Sequence, residues 1–342
     1  MATVPVMAPV QAPGLSGELY LYCQKRVRYC TAFADEIMTP AKTEDTSTPL
    51  RETRGLLFGL CGVAGFSATL PATRVAVAHL DPLLVGLGRS VVAGILAALL
   101  LWATRQPFPQ RSQFKSLALA AACVIVGFPL LSSWAMVNLP AAHAAIMIGV
   151  IPLLTAAASA LRSGERPSTG FWLTGLAGAA LIIGYAFAGG AAHMQLADAA
   201  LLGAALVVAV GYAEGGRLAQ SLGGWQTICW ALVLAAPFLV LPVLYAGLRH
   251  GLAAPLQSWL GFAYVAVVSQ LLAFFLWYQG LALGGVARVS QVQLLQPFMT
   301  LGVAALLLGE PVTPSMLAFA VAVAAVVGIG RRMPIYTPEK HP

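Results

Sequence analysis

The chain has 342 residues, of which 59% are hydrophobic and only 9% charged, and its formal net charge is +7. A soluble domain is about 25% charged, so a soluble enzyme is excluded for want of a charged exterior, and a disordered chain for its excess of apolar residues. The basic residues stand between long apolar runs rather than along one face, which excludes a nucleic-acid-binding surface and makes the lipid bilayer the expected partner.

Residues 1–54 differ from the rest. Pro5, Pro9 and Pro13, the basic cluster Lys25, Arg26 and Arg28, and a Thr-rich acidic stretch from Asp35 predict a disordered cytoplasmic tail, with Met38 as an alternative start. No apolar run follows a basic start, so a secretory signal peptide is not expected. From Gly55 to Arg331 the chain is a ladder of apolar stretches. A helix needs about 20 residues to cross roughly 30 Å of hydrocarbon, and only helices and closed barrels satisfy the backbone there. Alternating strand patterns are absent, so the expected class is an all-α polytopic membrane protein. The predicted spans are 55–76, 83–103, 115–136, 141–161, 170–188, 197–218, 225–246, 257–278, 287–307 and 313–331. Ten transmembrane helices put both termini on one side. Loops on that side carry Arg105, Arg111, Lys115, Arg162, Arg166, Arg217 and Arg288, against Arg249 and little else opposite. Both termini, including a short tail at 333–342, are therefore expected in the cytoplasm of a cell whose inner membrane holds the protein.

The sequence also repeats at a spacing of 145 residues. Pro152, Thr155, Ala160, Leu161, Gly164 and Glu165 return as Pro297, Thr300, Ala305, Leu306, Gly309 and Glu310, and Ala142 returns as Ala287. Two domains follow, 55–190 and 195–332, each of five spans. Five is odd, so the second repeat enters the membrane inverted, an arrangement that secondary transporters use to open a central site to either side in turn.

The Gly164-Glu165-Arg166-Pro167 and Gly309-Glu310-Pro311 segments, Trp277-Tyr278-Gln279-Gly280-Leu281-Ala282 and the Gln296-Pro297 helix resemble the drug/metabolite transporter superfamily in its EamA-type branch. The likeness covers about residues 55–332. It implies a ten-helix carrier of small metabolites, often an exporter, with a cavity between the repeats.

Several residues suit such a cavity. Gln293, Gln296 and Thr300 follow i, i+3, i+7 on the ninth span; amides in hydrocarbon need partners, so this face either lines the cavity or glues helices together. Gln270, Phe274 and Trp277, with Tyr278 beside them, offer aromatic surfaces for an apolar group, or an interfacial belt. Trp134, with Ser132 and Ser133, occupies the matching end of the third span. Arg74 and Arg89 either grip an anionic substrate group or, the favoured expectation, snorkel to the interface. Asp81 lies between them as a partner for either. Glu214 is expected to pair locally with Arg217, His143 to face the outer interface, and no carboxylate relay for proton coupling stands out. Pro152 and Pro297 are matched hinge candidates. Gly55-x-x-x-Gly59, Gly211-x-x-x-Gly215 and Gly280-x-x-x-Gly284 suit close helix packing or a homodimer.

The reading is a non-enzymatic secondary transporter, working by alternating access, for a small-molecule substrate such as an amino acid or amphipathic compound, with export the expected direction. A flippase for a lipid or lipid-linked substrate on the same fold is the alternative. Gly65-Phe66-Ser67-Ala68 has no well-placed His to make a serine enzyme. No nucleotide-binding loop and no metal-ligand spacing occurs, so no cofactor and no metal is expected.

Overall fold

A computed structural model describes residues 48–163, 166–188, 195–330, 332–333 and 335–336. Residues 1–47 with Met38, the Gly164-Glu165 pair, Arg331 and most of the 333–342 tail lie outside the described residues.

Among the described residues eight helices are long and apolar enough to cross a membrane. They are α1 (Leu50–Val77), α2 (Pro82–Ala103), α3 (Arg111–Asn138), α4 (Ala141–Arg162), α6 (Leu196–Leu222), α7 (Gly224–His250), α8 (Leu256–Gly284) and α9 (Ser290–Leu308). Two shorter apolar stretches fall on the fifth and tenth predicted spans: Trp172–Tyr185 within α5 (Thr169–Ala188), and α10 (Pro314–Gly330). At 1.5 Å per residue, the 17 residues of α10 reach about 26 Å, just short of a typical hydrocarbon core. α5 and α10 pack along one another. A two-residue antiparallel pairing joins Arg166–Pro167 to Ile335–Tyr336. Apart from that short pairing the regular structure of the described residues is helical, and the chain is a multi-pass membrane protein.

The glycines decide the closest approach. α1 lies along α8, and a Cβ at Gly55 would stand 2.6 Å from Gly284 N, one at Gly280 2.8 Å from Gly55 O. Two of the three glycine motifs that sequence leaves open to packing or dimerisation, Gly55-x-x-x-Gly59 and Gly280-x-x-x-Gly284, face each other within the chain, so neither is free for a second copy.

Five helices depart from regular geometry, and three of the departures lie just before a proline. α1 breaks at Ala68, between Thr48–Ser67 and Thr69–Val77. α4 carries a 3-10 turn at Ile148–Val150 just before Pro152, and α9 one at Ser290–Leu295 just before Pro297. Proline has no N–H and its ring clashes with the carbonyl four residues back, which is Ile148 in α4 and Gln293 in α9; both carbonyls instead accept the tighter bond from three residues on, Ile151 N and Gln296 N. The matched prolines therefore sit at matched interruptions. α3 widens into π-helix at Ala121–Gly127, and α8 does the same at Tyr264–Leu272. Pro129 cannot donate back to α3, and the carbonyls four and five residues before it are taken by side chains: Ser90 Oγ donates to Ile125 O at 2.9 Å and Gln270 Nε2 to Val124 O at 3.4 Å. By contrast α7 runs continuously through Pro237 and Pro242.

Candidate functional site

These interruptions surround one enclosed space. Phe66, Thr69 and Leu70 of α1, Arg89 of α2, Val124 and Phe128 of α3, and Ile148 and Ile151 of α4 line one side; Tyr212 of α6, Ser269, Gln270 and Phe274 of α8, and Gln296 of α9 line the other. Its free interior is about 20 Å³, room for one water, so the described conformation is closed on the site. The aromatic wall is a cluster. Phe66 meets Phe274 edge-on at 4.8 Å and Trp277 at 6.2 Å, and Tyr212 lies 5.4 Å from Trp277. The break in α1 places Thr69 Oγ1 2.8 Å from Ser269 Oγ, a hydroxyl pair across the two sides.

Of the residues singled out from sequence, Gln270, Phe274 and Gln296 line this space. Trp277 stands behind Phe66 and Tyr212, fully buried, and Tyr278 donates from its hydroxyl to Gly211 O at 3.3 Å. Gln293 and Thr300 are buried but do not line it; both amide atoms of Gln293 lack a hydrogen-bond partner among the described residues. Trp134 is not there at all: it is 38% exposed, on the outside of α3. Its neighbours Ser132 and Ser133 are the buried ones; all three lie on the regular helical segment Phe128–Asn138, whose turn of about 100° per residue carries Trp134 away from them.

Arg89 is the largest correction. It does not snorkel. Its residue is 1% exposed, its Nε and Nη1 have no hydrogen-bond partner among the described residues, and its Cζ sits 6.0 Å from the Phe128 ring centroid. Arg89 is the eighth residue of α2, about 10 Å along the helix at 1.5 Å per residue, a depth from which the interface is out of reach. Nor does Asp81 pair with it or with Arg74: Asp81 Oδ1 caps α2 by accepting from Leu83 N and Leu84 N, and Oδ2 meets His250 at 3.2 Å. Arg74 closes the end of α3, donating to Met136 O at 2.5 Å and Val137 O at 2.9 Å, where a cation suits a helix C-terminus.

Charges tie both ends of the bundle. At the end that holds Arg74, Glu310 accepts from Ala141 N at 2.9 Å and Ala142 N at 2.7 Å, so the carboxylate seats on the α4 N-terminus. Gly309, with φ of 63°, makes the left-handed turn that ends α9 and delivers it there. His143, near the start of α4, has its Nε2 2.7 Å from Asp198 Oδ1 and its ring stacked on Tyr185. A surface opening of about 420 Å³ at this end is lined by Arg74, His79, Ser258 and Glu310 among others. At the opposite end Glu214, 1% exposed, meets Arg217 at 2.6 Å and Arg162 at 2.7 Å, the local pair expected from sequence joined by a second arginine from α4. Arg288 pairs with Glu52 at that end.

The two sides of the enclosed space come from two segments, residues 53–187 and 195–330, and each matches the EamA-like transporter family. The chain belongs to that family. Among relatives of this EamA-like protein, the uncharacterized transporter YdeK of Bacillus subtilis (strain 168) is 42% identical over 283 residues, covering 82% of this chain and 98% of its own. A protein of Streptantibioticus cattleyicolor named a probable terminal-alkyne amino-acid exporter is 28% identical over 276 residues, covering 79% of this chain and 91% of its own. A solved crystal structure covers 82% of this chain and 96% of its own, with a TM-score of 0.55 at 18% identity; the likeness is one of fold. The protein is accordingly a membrane transporter.

Sequence reasoning missed Phe66, Tyr212 and Ser269, and weighed Arg89 the wrong way. The position of Arg89 is the signal that was present: two helical turns inside an otherwise uncharged run, with no acidic residue one turn away. An intramembrane charge of that kind is a functional-site hypothesis by default.

Proposed function

We propose that the protein is a secondary transporter of the cell membrane that exports a small organic metabolite, an amino acid or amphipathic compound, by alternating access between two inverted five-helix repeats. On this reading α5 and α10 complete ten spans, residues 55–190 and 195–332 are the repeats, and both termini are cytoplasmic. The observation that carries it is the enclosed, aromatic and polar space built from both family-matched segments, with charged contacts closing the bundle on either side of it. The matched 3-10 interruptions before Pro152 and Pro297, and the π segments of α3 and α8, supply the bending points that opening requires. The name of the Streptantibioticus relative supports the substrate range and the direction.

Counterflow in proteoliposomes with a panel of amino acids, aromatic metabolites and organic cations tests the reading. A saturable exchange that Gln296→Ala and Trp277→Ala weaken in folded protein is the expected result. No exchange of any compound would refute it and make lipid scrambling the next assay, since the same fold could serve a lipid flippase.

A further inference from the structure

The buried guanidinium of Arg89 has no counter-ion anywhere in the described protein. The described carboxylates are Glu52, Asp81, Asp198, Glu214 and Glu310. Each is engaged elsewhere: Glu52 with Arg288, Asp81 with the α2 N-terminus and His250, Asp198 with His143, Glu214 with Arg162 and Arg217, and Glu310 with the α4 N-terminus. Taking an ion out of water is costly unless a partner repays it, and a lone buried cation in a carrier is costly for a reason. The neighbouring polar groups are neutral. Gln270 spends its Nε2 on Val124 O and keeps its carbonyl oxygen as an acceptor, while Thr69 and Ser269 satisfy each other. The same space is walled by Phe66, Tyr212 and Phe274, which suit an apolar body and not a hydrated inorganic ion.

We infer that Arg89 is the anchor for the carboxylate of the transported molecule, whose apolar or aromatic body lies against Phe66, Tyr212 and Phe274. One guanidinium balances one negative charge, so a monocarboxylate leaves no net charge buried, whereas a phosphate dianion would leave one uncompensated. Planar, forked geometry also suits arginine to a carboxylate. No carboxylate lines the space to receive an ammonium, so the carboxylate, and not the amine of an amino acid, decides recognition. This inference rests on the transporter reading for its site, and extends it to the substrate's chemical class.

The test compares probes that share one body on the purified full-length chain: 3-phenylpropionate, L-phenylalanine, L-phenylalaninamide and phenyl phosphate, read by thermal shift and by competition against labelled 3-phenylpropionate. 3-Phenylpropionate should bind at least tenfold more tightly than the amide and the phosphate, and L-phenylalanine, whose ammonium finds no carboxylate, should bind less tightly than 3-phenylpropionate but more tightly than its amide. Arg89→Gln should erase the preference for acid over amide, and Arg89→Lys should keep part of it. Equal binding of acid and amide by the unmodified chain, which depends on no variant's folding, would overturn the inference, as would preference retained in Arg89→Gln or no binding by any probe. Counterflow separates the two readings. Carboxylate-selective binding with no exchange leaves the anchor standing and removes the carrier, and exchange of the amide as fast as the acid removes the anchor and leaves the carrier.

Discussion

Arg89 and Glu214 are both charged side chains in apolar helices, and both residues are 1% exposed. Their surroundings are opposite. Glu214 is held by two arginines whose side chains are 49% and 58% exposed, so its charge is neutralised by groups that keep contact with water. Arg89 has an aromatic ring and unsatisfied nitrogens. A charge buried to hold a fold together arrives with its partner from the chain; one buried without a partner is waiting for a partner from outside. The comparison implies that the two sites should respond to substitution with opposite signs.

The largest loss of stability is expected from removing both partners of Glu214. Arg162→Ala with Arg217→Ala leaves a buried carboxylate uncompensated, which costs about 3–5 kcal/mol; the melting temperature in detergent reads it, and Glu214→Gln added to that pair should recover much of the loss. Glu310→Ala deprives the α4 N-terminus of its acceptor and should cost about 1–2 kcal/mol, in the range of a lost helix cap, with Glu310→Gln losing less. Thr69→Val deletes the hydroxyl pair with Ser269, worth about 1 kcal/mol, by the same melting assay. Arg89→Gln should lie at the bottom of this series or beyond it, with an unchanged or raised melting temperature, while transport is lost. A marked destabilisation by Arg89→Gln would erase the distinction between the two charges.

Much of this was legible in the sequence. Apolar runs gave the long helices to within several residues, the matched prolines Pro152 and Pro297 marked the two 3-10 interruptions, and Gln270, Phe274 and Gln296, singled out from sequence, line one space. What failed was the step from a span end or a face to the space itself. Trp134 was read from its place at the end of the third span, but on the regular helical turn that carries it Ser132 and Ser133 are buried and Trp134 is 38% exposed. Gln293 does share the turn before Gln296, yet only Gln296 lines the space, and periodicity says which face a residue is on and not how far along that face a cavity reaches. Arg89 failed for another reason: whether an arginine reaches water or is walled in depends on helices far away in the chain, such as Tyr212 on α6.

On the proposed alternating-access cycle, the unpaired guanidinium would also make the empty protein sensitive to voltage. An elementary charge crossing the full membrane field gains or loses about 2.3 kcal/mol per 100 mV, and a fixed cation feels some fraction of this whenever its water access switches sides. A negative interior would favour the form of the vacant carrier whose cation is open to the cytoplasm, whereas a bound carboxylate cancels that bias. An electrical gradient would then reset the empty carrier toward the cytoplasm without acting on the loaded one.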